Sequence, residues 1–211
     1  MRMLEPSLIV ICLLAGATPG FADTPVVDCS KKSLADAVAD ATDKNPTVTF
    51  TGICNGPVVV AIDGLTLKGV GTAIIDGGDG GADALTVIGA SRVSLVDFEV
   101  THGLTGIVVR DGSHVTLTNV HSRRNALSGV VIRTASSAVL TNVSVTDNGT
   151  TGVGVDDGVS VTFKNSTFTG NAARDLQLTF GSRATLQNTL IGTVACDATV
   201  LVRGAAFTCP Q

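Results

Sequence analysis

The sequence predicts an all-β solenoid of about six to seven turns, in which short strands from successive turns stack on one another. Three observations support this: five consecutive segments align with a period of 22 to 23 residues, apolar and polar residues alternate within each segment, and asparagine recurs at one position. The segments begin at Asp83, Thr105, Ser128, Thr151 and Arg174. Because repeats of this length bury their apolar face only by stacking on their neighbours, the pattern predicts one continuous core.

The composition of the chain limits the function classes that it fits. Its 211 residues include 14 Lys and Arg against 18 Asp and Glu, which gives a formal net charge of −4. This acidic balance argues against nucleic-acid binding, which normally requires a basic surface. Charged residues make up only 15% of the chain, so it lacks the high charge of a disordered protein. With seven Phe and neither Trp nor Tyr, it has few aromatic platforms for stacking on sugars.

The first 22 residues have the features of a secretory signal peptide. Arg2 precedes an apolar run over residues 8–17, and small residues around Ala22 provide a processing site. The run has ten residues, half of the roughly 20 that a membrane-spanning helix needs. We therefore expect a secreted or periplasmic protein with no membrane span after cleavage. Its single domain over residues 23–211 would comprise an N-terminal cap (23–47), the solenoid (48–194) and a C-terminal cap (195–211).

A short helix is predicted within the N-terminal cap. Ser33 and Asp36 form a start similar to a capping box, and Leu34 and Val38 fall on one helical face together with alanines. An uncovered parallel strand would offer free N–H and C=O groups to another chain, so both ends of a solenoid need protection. We expect this helix to cover the N-terminal end.

Four cysteines follow the signal peptide, at positions Cys29, Cys54, Cys196 and Cys209. An even number of cysteines in an exported chain favours disulfides. Four cysteines allow three connectivities, but the two pairs lie at opposite ends of the chain, so we expect Cys29–Cys54 and Cys196–Cys209. A zinc site is the alternative, although no cysteine has a second cysteine or a histidine at finger-like spacing.

Each repeat contains three short segments with inward-pointing apolar residues. In the unit that begins at Thr105, Ile107 and Val109 point inward in the first segment, and Val115 and Leu117 do so in the second. The residues equivalent to Leu117 are also large and apolar, namely Leu95, Leu140, Phe163 and Leu186. These residues predict an apolar column that runs through the stack.

Asparagine recurs in two columns, each with a 23-residue period. The first column predicts a turn between the second and third strands and contains Asn119, Asn142, Asn165 and Asn188, with Asp97 in the preceding unit. The second marks the turn into the next unit and contains Asn125, Asn148 and Asn171. Amides stacked at the roughly 4.8 Å spacing of neighbouring strands can hydrogen-bond along the stack. Asn142, Asn148 and Asn165 also lie in glycosylation sequons, but the regular period favours a structural role in turns.

These patterns resemble the right-handed parallel β-helix of the pectate-lyase-like superfamily. The resemblance depends on the first asparagine column, on the V-x-L-x-N pattern from Val115 to Asn119, and on the entry segment from Leu65 to Gly71. It covers about Val48 to Val194 and implies a right-handed parallel β-helix. The superfamily includes lyases, glycosidases, epimerases and proteins with no known catalysis, so the resemblance leaves the activity open.

Charged residues near the first strands form the candidate functional site. Arg110, Arg133 and Asp156 point outward at the end of this strand in successive units, and the enzymes that the chain resembles carry their substrate groove on this face. Such enzymes use Arg or Lys as the base, and carboxylates that bind calcium or act as acid and base. Ion pairing on a solvated face is the simpler interpretation. The candidate ligand-binding residues are Arg110, Asp111, Arg133, Asp156, Asp157, His102, Arg123 and Arg124, the last three in the turns that enter this strand.

Three functions are compatible with this sequence. The preferred one is an exported protein that binds an acidic polysaccharide or envelope glycan without catalysis, through paired Arg donors. The second is a calcium-dependent lyase, epimerase or glycosidase, with Arg110, Arg133 and Asp156 as catalytic candidates and Asp156 and Asp157 as calcium ligands. The third is a structural or interaction protein of the cell envelope. A second candidate surface is the outward face of the second strand, where Thr116 and Thr162 lie in a hydroxyl-rich column.

Overall fold

The computed structural model describes residues 25–42, 46–205 and 207–209. Within these residues, parallel strands form a solenoid of about seven turns, as the repeats predict. The predicted signal peptide, residues 1–22, lies outside the described residues. In chain order, the described strands are β1 (Val27–Asp28), β2 (Thr47–Asn55), β3 (Val58–Val60), β4 (Thr66–Asp76), β5 (Leu85–Ile88), β6 (Val93–Val96), β7 (Glu99–Thr101), β8 (Thr105–Arg110), β9 (His114–Thr118), β10 (His121–Arg123), β11 (Ser128–Ile132), β12 (Ser137–Thr141), β13 (Ser144–Thr146), β14 (Thr151–Val155), β15 (Ser160–Lys164), β16 (Thr167–Thr169), β17 (Arg174–Leu178), β18 (Arg183–Gln187), β19 (Leu190–Ile191), β20 (Val194–Cys196) and β21 (Leu201–Arg203).

Each complete turn contributes three strands to two sheets. The first strands form a seven-stranded sheet in the order β20-β17-β14-β11-β8-β5-β3. The second and third strands lie in a larger sheet, because the long strand β4 pairs with both β6 and β7. Neighbouring turns pair at the 23-residue period, so that Val130 stands beside Ile107 on one side and Val153 on the other. Equivalent residues therefore form straight columns across the strands.

The predicted apolar column lies in the core. Leu117 pairs in register with Leu95 and Leu140, and all three are fully buried. Phe163 continues the column beside Leu140, and its ring meets Phe168 edge-on with the centroids 5.0 Å apart. Alternation along the second strands explains this burial, because every other side chain of a strand points to the same face.

The first asparagine column forms a hydrogen-bonded stack on the surface. Asn142 donates from Nδ2 to Oδ1 of Asn119 at 3.1 Å, and Asn188 donates to Asn165 at 3.0 Å. All four asparagines are exposed and have φ between 48° and 55°. Asparagine tolerates this left-handed conformation better than most residues, so the column forms the turn between the second and third strands.

The second asparagine column is buried. Asn125 donates from Nδ2 to Oδ1 of Asn148 at 2.9 Å, and Asn148 donates in the same way to Asn171 at 2.8 Å. Each acceptor oxygen also receives the backbone N–H of the preceding asparagine. The stack ends at Asp175, where Oδ1 accepts from Nδ2 of Asn171 at 2.8 Å. Side chains thus satisfy backbone groups that the turns into the next unit leave unpaired.

Asp175 makes the stability of this column depend on pH. Burial raises the pKa of Asp175, but hydrogen bonds from Asn171 and Thr193 outweigh this effect and lower the pKa below its ordinary value of 3.8. A carboxyl group with a lowered pKa in the folded state stabilises the fold at pH values above its unfolded pKa, and this contribution is lost as the pH falls through the folded pKa. We expect Asp175→Asn to destabilise the protein clearly at about pH 7 and less at about pH 2.

Urea denaturation of both proteins at the two pH values measures this difference. An equal loss of unfolding free energy at both pH values would contradict a stabilising charge at Asp175. The variant Asp147→Asn is the control, because Asp147 is an exposed carboxyl outside the asparagine column.

Both ends of the described chain carry a disulfide. Cys29 is bonded to Cys54 and Cys196 to Cys209, which confirms the predicted connectivity. Helix α1 (Leu34–Ala39) begins after Ser33, whose Oγ accepts the N–H of Asp36 at 3.2 Å. Leu34 and Val38 are buried, and the helix contacts β2 and β3. That this helix covers the N-terminal end of the solenoid stays a prediction.

The described residues contain no helix that is long and apolar enough to span a bilayer. The two disulfides are compatible with a protein of an oxidising compartment such as the periplasm or the exterior.

Candidate functional site

The predicted patch lies at the ends of the first strands. Arg110, Arg133 and Asp156 stand side by side there, since the N–H of Arg133 donates to Val109 O at 2.9 Å and that of Asp156 to Ile132 O at 3.0 Å. Arg110 also contacts its neighbour Asp111 at 3.3 Å. With Asp157, the patch holds two guanidinium groups and three carboxylates. Its excess of negative charge does not favour an acidic ligand.

Asp111 and Asp157 also have a role in the turns of this patch. Both adopt a left-handed conformation, with φ of 59° and 58°, as Thr134 and Phe180 do in the neighbouring units. Aspartate tolerates this conformation better than most residues, which explains its use here without reference to chemistry.

The Asp156 carboxylate already accepts two hydrogen bonds from the chain. Its Oδ1 accepts the N–H of Asp157 at 2.9 Å and the hydroxyl of Thr179 at 3.0 Å. Among residues 25–42, 46–205 and 207–209, no three His, Cys, Asp or Glu side chains are grouped so that they could bind a metal ion. Calcium at Asp156 and Asp157 stays a prediction, and no step of the function proposed below depends on it.

His102, Arg123 and Arg124 do not border this patch, contrary to our expectation. Arg124 precedes β11 and Arg133 follows it, so the five residues of the strand, roughly 17 Å, separate the two arginines. The expectation was wrong because turns that enter a strand lie at its opposite end from residues that leave it. The three residues therefore belong to another surface.

His102 and Arg123 each contact an acidic residue that was not predicted from the sequence. Nδ1 of His102 lies 3.1 Å from Oδ2 of Asp76. Arg123 donates two hydrogen bonds to Glu99, from Nε at 2.7 Å and from Nη2 at 3.0 Å. The hydrogen bond to Glu99 and the charge of its carboxylate raise the pKa of Arg123. Glu99 pairs in register with His121, so Arg123, two residues further along the same strand, is its diagonal neighbour on the adjacent turn.

The outward column in the middle of the seven-stranded sheet has no ionisable side chain. Its aligned residues are Val59, Thr86, Val108, Val131, Gly154 and Gln177. General acid–base chemistry requires a group that gains or loses a proton. This column therefore supplies neither an acid nor a base.

A groove of about 730 Å³ lies over the second strands, which belong to the larger sheet. We call it the second-strand groove. Two outward columns line it, and the residues of each alternate with the buried core residues of the same strands. The first column contains Arg92, His114, Ser137, Ser160, Arg183 and Leu201, and the second contains Ser94, Thr116, Val139, Thr162, Thr185 and Arg203.

The lining of the second-strand groove is positively charged. Arg92, His114, Arg183 and Arg203 are exposed in it, and no Asp or Glu is among its lining residues. The ion pairs that the described part of the chain contains all involve other residues. One carboxylate lies close to one end, because Asp63 accepts the N–H of Ser91 at 2.8 Å. The groove is thus a cationic surface on a chain whose net charge is −4.

Only part of this surface was predicted from the sequence. The hydroxyl column with Thr116 and Thr162 was predicted, but the column two residues earlier that holds His114 and Arg183 was not. The missed signal is the residue that precedes the first inward residue of each second strand, read across the aligned repeats.

Comparisons with known proteins agree with this architecture. The solved structure of alginate lyase from Paenibacillus sp. str. FPU-7 is similar with a TM-score of 0.69 and 17% identity, over 77% of this chain and 64% of the lyase, so the chain spans less than two thirds of that protein. At this identity, the similarity shows the fold alone. The A-module of mannuronan C-5 epimerase from Azotobacter vinelandii gives a TM-score of 0.31 and 16% identity, over 80% of this chain and 75% of the module. No curated protein sequence matches the chain.

A family model described as a right-handed beta helix region matches residues 53–204. This match covers more than two thirds of the chain. It indicates that the solenoid is right-handed, as the resemblance implies. The chain therefore belongs to the right-handed β-helix family.

Proposed function

We propose that this protein binds an acidic polysaccharide, without cleaving it, in the second-strand groove. The observation that carries the proposal is the lining of that groove, which contains three arginines and a histidine but no carboxylate. A planar guanidinium group holds a carboxylate or a sulfate with two parallel N–H donors. Binding of an anionic ligand is therefore favoured here and disfavoured at the first-strand patch, where carboxylates outnumber the arginines.

The hydroxyl groups of the groove supply the contacts that a sugar needs. Serine and threonine hydroxyls both donate and accept hydrogen bonds, as sugar hydroxyls do. Among the described residues, no intramolecular hydrogen bond engages the hydroxyls of Ser137, Ser160 or Thr162, so they are available to a ligand. The similar fold of an alginate lyase, an enzyme named for an acidic polysaccharide, agrees with this ligand class.

We leave cleavage out of the proposal because the groove lining contains no carboxylate, lysine or tyrosine. Removing a proton from a uronate and returning one to the leaving oxygen needs a base and an acid in reach of the same sugar. The groove lining contains a single histidine, His114, with Arg92 beside it on one strand and Ser137 on the other. The competing enzyme hypothesis is a lyase in which His114 is the base, and it predicts an unsaturated product that absorbs in the ultraviolet.

The test measures the dissociation constant for polygalacturonate, with dextran as the neutral control polymer. We expect binding of polygalacturonate alone, weakened by salt because screening reduces attraction between exposed charges. The double variant Arg92→Ala with Arg183→Ala should bind about tenfold or more weakly, since each arginine loses a charge-assisted hydrogen bond. Its matched control, Arg110→Ala with Arg133→Ala, removes the same charge from the first-strand patch and should bind as the parent does.

Three outcomes would contradict the proposal. If neither polymer binds, the function is wrong. If the control variant loses affinity and the groove variant does not, the site is the first-strand patch. If the polymer gains ultraviolet absorbance during incubation, the protein is a lyase. A second series with added calcium tests the predicted contribution of Asp156 and Asp157.

A further inference from the structure

The cationic residues of the second-strand groove are concentrated at its two ends. Val93 pairs with Val115, so Arg92 and His114, which precede them, lie side by side at the N-terminal end. Arg183 pairs with Leu201, and Thr185 pairs with Arg203, so two arginines on adjacent strands mark the C-terminal end. The groove therefore has two separate cationic ends.

Only neutral residues line the groove between these ends. In the first column Ser137 and Ser160 separate His114 from Arg183, and in the second column Val139 and Thr162 occupy the same two strands. These positions offer hydroxyl groups and one apolar side chain to a ligand. The middle of the groove therefore has no charged side chain that would pair with a charge on the ligand.

The distance between the two ends follows from the strand spacing. Arg92 and Arg183 are separated by four steps from strand to strand, β6 to β9, β12, β15 and β18. At a spacing of roughly 4.8 Å, four steps amount to roughly 19 Å along the solenoid axis. A monosaccharide or disaccharide is shorter than this separation, whereas an extended oligosaccharide that lies along the axis reaches both ends.

We infer that the second-strand groove recognises an extended polyanionic chain that bridges both cationic ends, rather than a single acidic sugar. This inference rests on the proposed function and specifies its ligand. When one end of the chain is bound, binding of the second end is an intramolecular event, and such linkage raises the overall affinity without any new contact. Affinity should therefore rise abruptly with ligand length at the length that spans the groove.

The experiment uses a length series of oligogalacturonates, from the dimer to the polymer, and measures the dissociation constant of each. We expect weak and similar binding for oligomers too short to bridge the ends, and an increase of about 100-fold once the ends are bridged. Arg92→Ala and Arg183→Ala should each remove this increase, so that long oligomers bind the variants about as weakly as short ones. Both side chains are exposed, and an unchanged circular dichroism spectrum and thermal midpoint confirm that the variants fold.

The failure of this inference differs from the failure of the proposed function. If the dimer binds as tightly as the polymer, or if affinity rises smoothly with each added sugar, the groove binds an acidic glycan but does not bridge it. If Arg92→Ala and Arg183→Ala weaken short and long oligomers by the same factor, bridging is again excluded. If no member of the series binds, the proposed function itself is wrong.

Discussion

The replacement Asn148→Asp is expected to lower the free energy of unfolding by about 3 to 5 kcal/mol at neutral pH. Asn148 is 2% exposed, and its Nδ2 donates to Asn171 Oδ1 at 2.8 Å and to Thr146 O at 3.1 Å. Aspartate has the same shape, but its carboxylate oxygen would face these acceptors and would bring an unpaired charge into a buried site. Urea denaturation gives the free energy of both proteins.

The matched control is the same replacement in the exposed column. Asn142 is exposed and donates from Nδ2 to Asn119 alone, and the equivalent position one unit before Asn119 is naturally Asp97. Asn142→Asp should therefore cost about 1 kcal/mol or less. Equal losses at Asn142 and Asn148 would show that burial does not distinguish the two columns.

The replacement Phe163→Ala is expected to have the other large effect, also about 3 to 5 kcal/mol. Phe163 is fully buried in the apolar column and packs edge-on against Phe168 at 5.0 Å. Its truncation would leave a cavity between turns that pair in register and cannot collapse independently. Thermal and urea denaturation would both record the loss.

Phe163→Leu is the control for this second prediction. Leucine occupies the aligned position in both neighbouring turns, as Leu140 and Leu186. The column therefore accommodates leucine, and the replacement should cost only about 1.5 kcal/mol. A loss as large as that of Phe163→Ala would indicate that the ring contact with Phe168, and not the filling of the column, determines stability here.

The fold could be predicted from the sequence because its determinants repeat. Residues such as Leu117 and Leu140 recur at the period with which the strands pair, so the alternation along one unit and the period between units together specify the core. The disulfide pairs followed from the placement of cysteines at the two ends. The repeat period and the cysteine positions are both properties of the order of residues along the chain, so a single sequence is enough to show them.

The period does not show which asparagine column is buried, because both columns recur every 23 residues. Whether a column is buried depends on the residues that pack over it. Gly129 lies so close to the second column that an added Cβ would come within 2.7 Å of Nδ2 of Asn148. The chain approaches this column because Gly106, Gly129 and Gly152 have no side chain there. A glycine column next to an asparagine column is thus the signal that was overlooked.

The candidate site that the sequence predicts differs from the second-strand groove for a related reason. Arg110 and Arg133 are prominent in the sequence because they follow the strongest apolar strands, yet Asp111 and Asp156 accompany them and cancel their charge. Arg92 and Arg183 are four turns apart and become one surface only when the strands pair. The charge of a surface on a sheet depends on which side chains the strand register places next to one another. That register follows from the sequence only when all repeats are aligned.

The position of the two disulfides has a consequence for how this protein can change over evolution. Cys29–Cys54 and Cys196–Cys209 join residues 25 and 13 positions apart, so neither crosses the central turns. Whole repeats can be duplicated or lost between them without any exchange of cysteine partners. Each such event would move the two cationic ends of the groove apart or together by one strand spacing, about 4.8 Å. If the proposed function is correct, the ligand length that bridges both ends would change with the number of repeats.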